Sequence, residues 1–167
     1  MPVFNHTKNK ILPSLISSHF DVSKIDLTIH YHCRALKGAN GIFKSPNIIH
    51  VIYPSFDDNF IKEYRMFRRN RIILFKNRTA FTLATIAHEM EHCKRWHNGE
   101  ESAVRYDTSI RMAKFEEFYC DEVAYDFVLD NNLGIELINT SITEYFLKDD
   151  GYDVFICGGN NMVPRKT

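Results

Sequence analysis

His88, Glu89 and His92 stand together in the run HEMEH. On an α-helix, positions i and i+4 lie one above the other, so both imidazoles can point at one place in space. Glu89 comes about 100° further round the helix. That is too far round to join them as a ligand, but well placed to reach a water held beside them. Two imidazoles and a general base are what metal-assisted hydrolysis requires, and this is the physical content of the HExxH spacing. The preceding stretch TLATIA is apolar and helix-compatible, with Thr82, Ala84 and Ala87 small enough for close packing. This face of the helix is therefore expected to be buried.

A catalytic zinc ion takes three protein ligands and keeps a fourth position for water. The only later histidine, His97, is out of register for HExxHxxGxxH, since position 95 is arginine and position 98 is asparagine. The third ligand is then expected to be an acid. The stretch KFEEFYCDEVAYDF, Lys114 to Phe127, places Glu117 and Asp121 at i and i+4, with Ala113, Ala124 and Val128 on a small apolar face around them. Carboxylates on a face that wants burial need a partner, and a metal ion beside histidine N–H groups is one. Glu117 is the expected ligand. Asp121 is expected to accept the outer N–H of a ligating histidine and so fix its tautomer. Glu116 competes for the ligand role, but its face carries Met112, Cys120, Val123 and Phe127 and no carboxylate one turn on.

HEMEH followed by EFYCDEVA resembles the gluzincin zinc metallopeptidases, in which HExxH is followed by a helix carrying ExxxD. It is most similar to the minimal members, such as the small repressor-cleaving and stress-response peptidases of phages and bacteria. The resemblance implies a zincin-like fold and one Zn2+ per chain held by His88, His92 and Glu117. It also implies Glu89 as general base and Asp121 hydrogen-bonded to His88. Cys120 departs from the usual alanine, and the link between the two motif helices is longer than in the smallest members. The motifs cover about residues 79–130. In this family an extended substrate commonly pairs with an edge strand above the zinc, and GIFKSP or NIIHVIYP resembles that strand. An oxyanion donor is expected among Tyr106, Tyr119, Tyr125, Tyr152 and His97.

The elements that must hold these residues are legible in outline. Residues 9–19 read as a short helix. KIDLTIHYHCRAL alternates, with Ile25, Leu27, Ile29, Tyr31 and Cys33 on one face, as a half-buried strand does. KGANG is a turn, and GIFKSP, NIIHVIYP and RIILF are strand-like. Thr79 is expected to cap a helix that runs to His97 and ends at Asn98-Gly99. Asn98 and Glu101 fit a capping box for the next helix. Helix is expected onward to Asp130, with a break near Asp107-Thr108. GIELINTSITEYFL is expected to be a helix with Ile135, Ile138 and Ile142 on one stripe, YDVFIC a strand, and GGNNMVPRKT a loose tail. A small mixed or antiparallel sheet followed by helices gives an α+β class. One domain over residues 1–167 is expected: a sheet-rich half to 78, a helical half at 79–150, then a C-terminal strand and tail.

With 167 residues, 44% hydrophobic and 25% charged, the composition is that of a globular chain able to bury a core. Lys+Arg and Asp+Glu both total 21, so no global field draws the chain to nucleic acid or an anionic membrane. Cys33, Cys93, Cys120 and Cys157 form no CxxC pair, which argues against a zinc ribbon or disulfide scaffold and for a reducing compartment. No stretch has the apolar length to span a bilayer. The first apolar run is broken at Pro13-Ser14, short for a cleaved signal, so a cytoplasmic protein or one delivered by another route is expected. His30 and His32 share a strand face without acidic or cysteine partners and read as polar surface. The basic run Lys62 to Arg78 is a solvated edge or a contact for an acidic protein ahead of a nucleic-acid surface.

The expected function is that of a zinc-dependent endopeptidase acting on a selective protein or peptide substrate. The alternatives are a non-catalytic zinc-bound interaction module and a DNA-associated protease using residues 62–78. The oligomeric state is open.

Overall fold

The computed structural model describes residues 3–5, 12–31, 36, 39–53, 65–68, 71–75, 78–133, 135–138, 152–157 and 161–166, with side chains described for 13–31, 36, 39–53, 75 and 78–133. Alternation in the first half produces a sheet. Leu27 and Ile29 on β2 (Asp26–His30) and Ile49 and Val51 on β4 (Ile48–Ile52) are fully buried, while Thr28, His30 and His50 take the other face. β1 (Val3–Asn5) and β4 both run parallel to β2, and β3 (Gly41–Lys44) pairs antiparallel with β4. The order β1-β2-β4-β3 leaves β3 at an edge among the described residues. The sheet is mixed, within an α+β architecture.

On the buried face lies α2 (Arg78–His97), whose Leu83 and Ile86 join Leu27, Ile29, Ile49 and Val51 in one core with Ile16 of α1 (Leu12–His19). Thr82, Ala84 and Ala87 are buried, as their small size suggested. Gly99 adopts φ +72, the N–H of Gly99 bonds Trp96 O and that of Glu100 bonds Arg95 O. This is a Schellman stop at the expected place.

The next turn differs from expectation. Glu100, not Asn98, is the N-cap of the short α3 (Glu101–Val104), and it makes no side-chain cap bond, because Asn98 is already taken up in closing α2. A 3-10 turn at Tyr106–Thr108 makes the expected break, and Ser109 caps α4 (Ile110–Asp130) by accepting from the Met112 N–H. α4 packs across α2 through Val128 and Phe127, which meet Phe75, Phe81, Ala84 and Phe20, the residue after α1.

Two sequence expectations are corrected. Ile135–Ile138 is a strand, β7, not the start of a helix; it pairs antiparallel with β6 (Arg71–Phe75), which also pairs with β5 (Arg65–Arg68). A four-residue apolar run suits either state, and its ladder partner decides. The remainder of that expected helix, including Ile142, lies outside the described residues. The segment read as a tail forms β9 (Asn161–Lys166), a hairpin with β8 (Tyr152–Cys157). No helix among the described residues is long and apolar enough to cross a membrane.

Candidate metal centre

α2 and α4 each contribute an i, i+4 pair, and where the helices cross the two pairs meet. His88 Nε2 and His92 Nε2 are 3.1 Å apart. Glu117 closes the triangle, with Oε2 3.0 Å from His88 Nε2 and Oε1 3.3 Å from His92 Nε2. Ligand atoms about 2.0–2.2 Å from a four-coordinate ion lie roughly 3.3–3.6 Å from one another. The three atoms thus converge at nearly the spacing a shared ion needs, and His88, His92 and Glu117 form a group that could hold one metal ion.

Each histidine turns its outer nitrogen to a carboxylate. His88 Nδ1 meets Asp121 Oδ1 at 2.9 Å, the partnership sequence spacing suggested. His92 Nδ1 lies 3.5 Å from Glu116 Oε1, a contact sequence reasoning missed. Glu116 is the buried member of the acid pair, with a side chain 0% exposed against 43% for Glu117. Its charge is balanced where it lies: Arg95 Nε donates to Oε2 at 2.9 Å and Ser102 Oγ at 2.8 Å. Arg95 also donates to Ser102 Oγ and stacks on Tyr119. Glu116 with His92 and Cys120 is a second group with ligand-like proximity. Its carboxylate, though, is already neutralised by Arg95, whereas Glu117 faces the two imidazoles and the Tyr106 hydroxyl. The expectation that Glu117 and Asp121 share a buried face is corrected: both side chains are nearly half exposed, because they border a cleft.

The cleft has a volume of about 940 Å³. Residues Ala39–Ser45, including β3, form one wall, Thr85, His88, Glu89, His92 and Trp96 the floor, and Tyr106 with Glu117 and Asp121 the opposite wall. A pocket of this size is in the range that encloses a ligand. Of the expected oxyanion donors among the described side chains, Tyr106 alone lines it. Its hydroxyl donates to Glu117 Oε1 at 2.7 Å and its ring stands edge-on to His92. His97 contacts Pro46 O, Tyr119 lies under Arg95, and Tyr125 packs against the core cluster that contains Phe75, Phe81 and Val128. The side chain of Tyr152 lies outside the described residues, as do those of the basic run from Lys62 to Leu74.

Electrostatics follow from this crowding. Burial, reinforced by the negative charges of Glu117 and Asp121 against the opposing pull of His88 and His92, pushes Glu89 up to about 7. Burial works against a charge on His88, but hydrogen bonds to Asp121 and Glu117 and the field of Glu89 outweigh it and push the imidazole up to about 10. Burial likewise opposes charge on Glu117, yet its hydrogen bonds with both histidines and Tyr106 hold it well below the usual carboxylate range. A proton on His88 would lie between two carboxylates. A divalent cation would displace that proton and meet the same charges.

His30 contacts His50 on the neighbouring strand, ring nitrogens 2.9 Å apart; His32 lies outside the described residues. Cys93 and Cys120 are both buried and free. No known family model, curated protein or solved structure matches the chain. What the fold and site define is an α+β protein with a candidate three-ligand metal centre and a buried carboxyl beside it.

Proposed function

We propose that this chain is a zinc-dependent endopeptidase of the compact gluzincin kind, with a zincin-like arrangement of sheet, HExxH helix and ligand-bearing helix. The observation that carries the proposal is the triangle of His88 Nε2, His92 Nε2 and Glu117 beside a Glu89 carboxyl that is only 5% exposed. Imidazole and carboxylate donors in a three-to-one-open set are those of catalytic zinc sites. Zinc bound there would act as a Lewis acid, polarising a substrate carbonyl and lowering the pKa of water.

The chain's own residues supply the rest. Glu89, buried beside the proposed ligands, takes the proton of the attacking water and passes it to the leaving amine. Asp121 and Glu116 hold His88 and His92 from behind, which sets ring orientation and basicity. Tyr106 supports Glu117 through its one O–H, and it could meet developing oxyanion charge only by releasing that bond. Of the two segments that resembled a substrate strand, β4 is interior, so β3 is the one with an edge to offer. Asn40 O accepts from the Ile52 N–H, and in an antiparallel ladder the next residue's groups point the other way. Gly41 and Phe43 thus present main-chain N–H and C=O groups at the cleft, which favours an extended peptide ligand.

The test is Glu89→Gln in zinc-loaded protein offered a complex peptide mixture. Retained zinc with loss of cleavage supports the peptidase. Cleavage unchanged in the variant would refute the role of Glu89, and a wild-type protein that binds zinc and cuts nothing would be the interaction module instead.

A further inference from the structure

The edge strand approaches the HExxH helix most closely at one residue. Gly41 pairs with Val51, whose side chain is fully buried toward α2, so a side chain at 41 would point the same way. A Cβ built there would stand 2.6 Å from Glu89 Oε1, 2.7 Å from Glu89 Cγ and 2.8 Å from Thr85 Cγ2. The space a methyl group needs is occupied by the carboxyl and stem of Glu89. Gly41 adopts no left-handed conformation, so backbone freedom is not what the position requires. Close approach is.

We propose that Gly41 is a positioning residue for Glu89. Its missing side chain lets β3 lie directly over the Glu89 carboxyl, so that the strand both confines that carboxyl and offers its Gly41 main-chain groups to a substrate immediately above it. Any larger residue forces one of two outcomes. Either Glu89 swings away, or β3 lifts from α2 and carries its peptide-binding groups with it. Thr85 closes the third side: its hydroxyl donates to Phe81 O at 2.9 Å, which holds its methyl toward Gly41. The sequence gives no sign of this, because Gly41 ends a run of turn-forming residues and reads as part of the turn.

This inference rests on the peptidase proposal, and the experiment separates the two. Gly41→Ala alters no zinc ligand, so zinc content is expected to stay at one per chain; KM stays within a few-fold where Glu89 swings away and rises where β3 lifts. Displacement of the base by about 1 Å lowers kcat roughly 100-fold. A general loss of structure would instead move zinc content and thermal stability together with activity. If the alanine variant does not fold, Gly41→Ala with Thr85→Ser removes the 2.8 Å contact while keeping the Thr85 hydroxyl, and is read the same way. A kcat and a KM both within twofold of wild type overturn the proposal. Should the wild type cut no peptide, the peptidase proposal falls and crystal structures of wild type and Gly41→Ala decide this one: a displaced Glu89 carboxyl or lifted β3 sustains it, and superimposable positions overturn it.

Discussion

Glu116 and Glu117 are neighbours in sequence, yet alanine at each should have opposite consequences. Glu116 is fully buried and compensates Arg95, whose own side chain is only 15% exposed. Removing one partner of such a pair leaves a buried charge uncompensated, at a cost of about 3–5 kcal/mol. In a chain of this length that corresponds to a fall in Tm of roughly 10 °C. The same change frees the outer nitrogen of His92 and should weaken zinc binding about 10–100-fold. Glu117 is 43% exposed and its pairing with His88 is screened by solvent, so its loss should cost the metal-free protein no more than about 1 kcal/mol. It is, however, one of three proposed ligands, and zinc binding should weaken beyond the range for an outer partner. Thermal unfolding followed by circular dichroism in a chelator gives the first quantity, and competition against a chromophoric zinc chelator gives the second. If Glu116→Ala melts with the wild type while Glu117→Ala loses the stability, or if Glu116→Ala loses zinc as completely as Glu117→Ala, the division of roles is wrong.

Further outcomes follow from other contacts. Tyr106→Phe keeps the ring against His92 and removes the hydroxyl donated to Glu117, so zinc affinity should drop about tenfold, the worth of one hydrogen bond to a charged oxygen; unchanged affinity would remove Tyr106 from the support of that ligand. Burial, and then His50 beside it, lowers the pKa of His30, so the unfolded chain takes up that proton at higher pH than the folded one. The contribution of neutral His30 is then complete above about pH 6.5 and is lost as pH falls below it. His30→Asn should narrow the gap in Tm between pH 7.5 and 5.5, and a gap equal to that of wild type would contradict the assignment.

His88, His92, Glu117 and Asp121 could be found in the sequence because each pair lies on one helix at a spacing that fixes its face. What spacing could not supply was any partner arriving from another element. Glu116 looked the poorer acid because Arg95 comes from α2 and Ser102 from α3, and neither is signalled by periodicity within α4. Gly41 was hidden for the same reason: its importance is a distance to another element. Ile135–Ile138 was misread because a short apolar run takes its state from β6, far upstream, and the β8–β9 hairpin because polar residues beside glycines resemble a tail until their pairing is known. Buried alternation in β2 and β4 and the glycine stop of α2 were legible, since both arise within the segment itself.

Anomalous diffraction at the zinc edge from the purified protein tests the metal centre most directly. One peak is expected, about 2.0–2.2 Å from His88 Nε2, His92 Nε2 and a Glu117 oxygen. A peak instead among His92 Nδ1, Glu116 and Cys120, or none beside His88 in zinc-saturated crystals, would contradict it.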